Sequence, residues 1–530
     1  MNQWRYPLVA VRSAKGHLFA GRITKYLAMF LAIVVWMSRS DAQEPAKQGV
    51  WRTERDEQAS IQIEIMEMTL TPRAESNPAL KHQLLADDFN MLDGNAATYY
   101  LKAQGFFEQT VARDRLTEFY EKSRERSRLE SKPFGELPPH NWLSMHPGEL
   151  PIEEVKEFLT LTAFQPRFLK EAAARRRFDL DRNIQGVDDP IGYLLPAIQS
   201  MREIARIQSL RCKVAIAEGR LDDAIEILRQ QYALARHLGH DDFLVTNLVG
   251  MAIASIAWSD ALTFVQQADA PNLYWALASL PRPLVDVSHA MSVERHFLYL
   301  QLKVLREVDE SPRPVGYWQD FLDRLIPQIR TLASDFGIAK QDTETVRAMM
   351  VGYIAASYPG AKRYLIEDLG LSREQVEAYP TAQVVFLAMV RYYDSARDYY
   401  FKWIRVPYWQ SRSVIDDPSF NENSRRSADR VGWSSAPTQI LLPAVLAVQR
   451  AAARNEQKIA LLQTVEAIRM YGAAHEGKLP PNLNDLPVPA PMEPFTGKPL
   501  DYEFHSKYAV LNGHAMPGLQ YRLVLRFATK

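Results

Sequence analysis

The 530 residues are 47% hydrophobic and 24% charged, which is enough for a sizeable core and two to four domains and excludes a disordered chain. The 63 basic side chains balance 63 acidic ones, so no net field concentrates a polyanion, and nucleic acid is excluded as a default partner. The single cysteine, Cys212, can form no intramolecular disulfide or cysteine-rich metal framework, which leaves the fold to be held by its core.

Residues 1–42 carry the location signal. Arg5, Arg12, Lys15, Arg22 and Lys25 precede the apolar run YLAMFLAIVVWM, Tyr26 to Met37. Twelve residues are short for a membrane-spanning helix and match a signal-peptide core. Ser40 and Ala42 supply small residues at cleavage spacing, so the segment reads as a signal peptide cut between Ala42 and Gln43, or as an uncleaved anchor giving membrane association. Either reading exports the body of the chain to the periplasm, free or anchored.

A linker and strand region follows over 43–94. In SIQIEIMEMTLT, Ser60 to Thr71, Ile61, Ile63 and Ile65 alternate before the phase shifts to Met66, Met68 and Leu70, which predicts a strand with a bulge. From Asn95 the period turns helical, and 95–310 is expected to be a helical-hairpin domain. Its clearest unit spans 203–239. Leu221, Ala224, Ile225, Leu228, Tyr232 and Ala235 fall on one face, as do Ile204, Ile207, Leu210 and Val214 upstream, with Gly219 between them. Ala224 puts a small residue where two helices must pack closely, as in a tetratricopeptide-repeat (TPR) hairpin.

Further helices are expected over 311–410, then a polar linker over 411–438. A long helix from Leu441 to about Ala474 and a small antiparallel sheet fill 439–530, where odd positions 519 to 527 are all apolar. The fold class predicted is mainly α: TPR-like, solenoid-like hairpins with a short N-terminal strand region and a C-terminal helix-plus-sheet module.

Two resemblances follow from these blocks. NPALKHQLL and GNAATYY (Asn77 to Tyr100), IAEGRLDDAIEILRQQYALARHLG, and APNLYWALASLPRPLVDV (Ala270 to Val287) resemble, in this order, a family of exported bacterial α-helical, TPR-like proteins with no known activity. The resemblance implies export and a helical architecture. AIRMYGAAHEGKLPPNLNDL and EPFTGKPLDYE are similar to the end of a type II secretion pseudopilin. That similarity implies only a small helix-plus-sheet shape: Glu493 stands where the loop's Asp is usual, the helix is internal, and the export signal lacks the prepilin motif.

Gly472 to Lys478 has the opening of a phosphate-binding loop. A helix precedes it, Leu479 replaces the magnesium-binding hydroxyl, and Pro480 and Pro481 forbid a following helix, so it reads as a helix stop and turn. His237 and His240, beside Asp241 and Asp242, are the best metal candidates. A helix C-terminus favours histidine through its dipole in any case, which makes capping the simpler reading. The most distinctive composition is RYYDSARDYYFKWIRVPYWQSR, residues 391–412. Its Tyr392, Tyr399, Trp403, Tyr408 and Trp409 read first as core and second as an aromatic groove for a sugar or peptide.

No linear catalytic motif and no cofactor fingerprint occurs. The expectation is an exported scaffold or binding protein engaging a protein or peptide partner at the cell envelope. The alternative is an envelope polysaccharide- or lipid-acting enzyme with an aromatic-lined cleft.

Overall fold

A computed structural model describes residues 49–57, 61–105, 110–184, 186, 195–335, 342–516 and 518–528. The predicted export segment and its Ala42 and Gln43 junction lie outside the described residues. The fold is mainly α-helical, with a small five-stranded sheet drawn from both ends of the chain. It divides into two compact units. The larger comprises Asp41–Leu300, Tyr393–Ala428 and Leu441–Lys530, and the smaller includes Gln301–Tyr392 and Asp429–Ile440. The run of helices expected over 311–410 is therefore divided between the units at Tyr392 and Tyr393.

In the larger unit β1 (Trp51–Asp56) and β2 (Ile61–Leu70) form a hairpin. Two short strands, β3 (Leu92–Asn95) and β4 (Arg175–Arg177), pair in parallel elsewhere. Near the C-terminus β5 (Asp501–His505), β6 (Tyr508–Asn512) and β7 (Leu519–Phe527) make an antiparallel meander. The sheet order is β1-β2-β7-β6-β5, with β2 parallel to β7 from Gln62↔Leu519 to Leu70↔Phe527. The N-terminal strand region and the terminal module, expected as separate, are thus one sheet.

The β2 ladders run without a register break, so the predicted bulge is absent. The phase shift has another cause. Ile65 and Met66 point to opposite faces, and both are buried, because this part of the sheet is covered on both sides.

The helices that matter for the site are α1 (Ala96–Ala103), α2 (Ile152–Thr160), α3 (Gln165–Ala173), α4 (Leu195–Ala217), α5 (Leu221–Leu238), α6 (Leu244–Val265) and α7 (Pro443–Ala474). The predicted hairpin is α4 and α5. Gly219 takes φ +72°, the Arg220 amide donates to the Ala215 carbonyl at 2.8 Å, and the Gly219 amide donates to Ile216 at 3.0 Å, which together close a Schellman turn. Ala224, Leu228, Tyr232 and Ala235 are buried, as are Ile204, Ile207, Leu210 and Val214. Cys212 is buried among them and burial raises its thiol pKa, so it packs as a small apolar residue.

Helix α6 packs on this hairpin. Its length and mean hydropathy of 1.7 would suffice to cross a membrane, yet most of it is buried within the unit, where it serves as the core helix. Helix α7 packs against α6 and stops where the sequence said it would. Gly472 faces the Phe527 ring of β7, and Gly477 takes φ +79° with its amide donating to the Gly472 carbonyl at 2.8 Å. Extended chain follows, so the stretch is a joint between helix and sheet and not a phosphate loop.

In the smaller unit Trp318 and Phe321 of Val315–Asp335 meet Phe386 of Thr381–Phe401, and Thr343–Arg363 packs on Val315–Asp335. The Trp318 and Phe386 rings stack 6.3 Å apart. The polar linker expected at 411–438 is corrected: Tyr408–Ile415 and Pro418–Val431 are helices. Asp417 starts the second by accepting from the Ser419 amide, and among its described side chains Phe420, Ala428 and Val431 are the buried apolar ones. So thin an apolar stripe among polar residues escapes a periodicity reading.

Candidate functional site

The five aromatic candidates do not form one groove. Tyr392, in the smaller unit, is buried and meets Tyr364 edge to face at 5.9 Å. In the larger unit Tyr399 stacks on Phe420 at 4.8 Å, and the Lys402 ammonium lies 4.2 Å from the Tyr399 ring and 5.3 Å from the Trp403 ring. Tyr408 is buried against Phe495, and its hydroxyl donates to Asp416 at 2.8 Å. Burial, then Asp416, pushes its pKa up to about 12. Trp409 lies over Gly497, whose φ of +65° and contact with the indole leave no room for a side chain. Tyr392 and Tyr408 are packed in core, while Tyr399 and Trp409 keep exposed faces beside their partners Phe420 and Gly497.

The histidine pair is also resolved by its partners. His237 is buried. Its Nε2–H donates to the Arg175 carbonyl at 2.9 Å and its Nδ1 accepts from the Tyr100 hydroxyl at 2.8 Å. Burial drops its pKa to about 4, so the ring is neutral and both nitrogens are engaged. It is therefore neither a metal ligand nor a charged helix cap. His240 does cap, its Nδ1–H donating to the Arg236 carbonyl at 2.9 Å. Among the described residues no cluster of three or more His, Cys, Asp or Glu side chains has metal-binding geometry.

A cleft of about 460 Å³ opens instead between α2, α3, α4 and α5. Leu159, Val214 and Ile227 supply apolar wall. Arg211, on α4, supplies charge. Its Nη1 donates to Gln208 at 2.9 Å and to Gln165 at 3.2 Å, and its Nη2 donates to the Thr162 carbonyl and hydroxyl at 2.6 and 2.7 Å. All four acceptors are neutral. Burial lowers the guanidinium pKa to about 10, which still leaves it charged at neutral pH.

The rim is sorted by pairing. Lys156 and Arg220 are held by Glu218, with Arg220 also on Asp223, while Glu226 faces Arg229 and Gln230. Arg167 lies 4.7 Å from the Phe168 ring, and neither it nor Lys170 has an ion pair among the described residues. The cleft therefore presents three cations without a carboxylate partner, Arg167, Lys170 and Arg211, over an apolar wall. Such a surface suits an acidic segment that also carries apolar side chains.

Sequence reasoning missed these residues, although a signal was present. Arg211 interrupts the buried phase of α4 between Ile207 and Val214, and a charge in a core phase needs a structural or binding reason. Arg167 and Lys170 stand in no motif that singles them out. Comparison with protein-family models, with curated proteins and with solved structures gives no match.

Proposed function

We propose that this chain is an exported helical scaffold or binding protein that engages an acidic protein or peptide segment at the cell envelope through the cleft between α2, α3, α4 and α5. The observation that carries this reading is the trio Arg167, Lys170 and Arg211, cationic and without carboxylate partners beside an apolar wall. Export rests on the basic residues and the apolar run of the first 42 positions.

A fluorescent peptide alternating glutamate and leucine, titrated against the full chain by anisotropy, tests the site. Binding that weakens about tenfold or more in the Arg167→Glu/Lys170→Glu variant, and that falls with added salt, is the expected result. Equal binding by the variant, or no binding by the wild type, overturns it. Alkaline phosphatase fused to the C-terminus tests export, because that enzyme is active only when its own disulfides form outside the cytoplasm.

A further inference from the structure

The larger unit holds a second arrangement, on the opposed faces of α6 and α7. Lys458 of α7 is 6% exposed, and its ammonium donates to the Ser255 hydroxyl of α6 at 2.8 Å. Trp258 and Tyr521 flank the ammonium, with both ring centroids 5.1 Å away, and Trp51 closes the cluster at 5.3 Å from Trp258 and 5.8 Å from Tyr521. A buried lysine needs a counter-charge or a reason. No carboxylate ion pair to Lys458 is present among the described residues. Its charged neighbours are Arg454 on its own helix, which disfavours protonation, and Glu64 from β2, which favours it. Burial outweighs both, and the pKa drops to about 7.

Ser255 is partly exposed, whereas Lys458 is buried. Its hydrogen can go to the Met251 carbonyl at 3.0 Å or to Asn455 Oδ1 at 3.3 Å, and also to the lysine nitrogen once that is neutral. Asn455, one turn before Lys458, brings a third group. Its amide nitrogen is buried and unpartnered, on the same carboxamide whose oxygen touches Ser255. The Trp258 indole N–H is likewise buried and unpartnered. An unused donor on the carboxamide that touches the hydroxyl, with an amine on the other side, is the part needed to hold a developing oxyanion.

We propose that Ser255 and Lys458 form a nucleophile and general-base dyad for acyl transfer from small carboxylic esters, with Asn455 as the oxyanion donor. Neutral Lys458 takes the proton from Ser255 as Oγ bonds to the ester carbonyl carbon, and the carbonyl oxygen becomes an oxyanion held by the Asn455 amide. The oxyanion collapses, the bond to the alkoxy group breaks, and the leaving oxygen takes the proton from Lys458. Water then attacks the acyl-serine and gives a proton to Lys458; on collapse Lys458 passes that proton to Ser255 Oγ as the acid departs.

A fluorophosphonate probe, whose phosphorus is attacked by an activated serine, tests this on the full chain, with the adduct located by peptide mass spectrometry. Labelling is expected on Ser255, absent in Ser255→Ala, and slower by about 100-fold in Lys458→Arg, which keeps the charge and loses the base. The wild-type rate should rise with pH around a midpoint near 7, a readout that needs no variant to fold. Absence of an adduct on Ser255, a rate that ignores pH between 6 and about 8, or full labelling of folded Lys458→Arg overturns the proposal and leaves the lysine as packing alone. The acidic-peptide experiment is independent of all three outcomes, because the cleft lies on other residues.

Discussion

Arg469 and Glu466, one turn apart on α7 and both without exposed side-chain surface, are joined at 2.8 Å. The pair is a knot for three chain segments. Arg469 donates to the carbonyls of Thr71 at 3.1 Å and Ala270 at 2.8 Å, and Glu466 accepts from the Leu273 amide at 3.1 Å. The end of β2, the segment after α6 and the long helix are tied through one guanidinium.

Removing one partner leaves the other charge buried and unpaired. Arg469→Met and Glu466→Gln should each cost about 3–5 kcal/mol, measured by urea unfolding of the larger unit's transition. The double variant Arg469→Met/Glu466→Leu should cost less than the sum of its parts, because neither charge is stranded.

His237 makes stability depend on pH with a definite sign. Its folded pKa, about 4, lies below its ordinary value of 6.5, so between those values the unfolded chain binds more protons. Stability therefore rises with pH through this window and is lost as pH falls from 6.5 to 4. His140, lowered to about 4 chiefly by burial, acts in the same direction. Denaturation midpoints measured at pH 7 and pH 4.5 should converge in His237→Gln relative to wild type, by an amount equivalent to about 2–3 kcal/mol.

Gly472 is required by a neighbour and not by its backbone angle. A Cβ there would come within 2.4 Å of the Phe527 ring. Gly472→Ala should destabilise by about 1–3 kcal/mol despite alanine's better helix propensity, and Phe527→Leu in the same chain should recover part of the loss in thermal melts.

Within the cleft, structure and binding separate by residue. Arg211→Met strands acceptors on Gln165, Gln208 and Thr162 and should lower stability by about 1–3 kcal/mol. Arg167→Glu and Lys170→Glu touch no such network and should stay within about 0.5 kcal/mol of wild type while losing the acidic peptide.

What was legible in the sequence follows the range of the interaction. The α4–α5 hairpin shows itself through a 3.6-residue period and a glycine at the turn, and the stop at Gly472 to Pro481 through breakers; both are local. The β2–β7 pairing is not local, and a strand's side-chain pattern does not name its neighbour. The helices of 411–438 were hidden because few apolar contacts carry them. The Ser255, Asn455 and Lys458 constellation has no linear motif, since the serine lies 200 residues from Asn455 and 203 from Lys458. Only the fold brings them within hydrogen-bond reach.

The place of β7 in the sheet sets an order of events. Because β7 lies between β2 and β6, the sheet has a missing interior strand until Leu519–Phe527 is available, and β2 must wait through the synthesis of nearly every helix for its parallel partner. Contacts so distant along the chain are slow to form. The local helical hairpins can close early, whereas the interior of the five-stranded sheet is completed only when Leu519–Phe527 pairs along both of its edges.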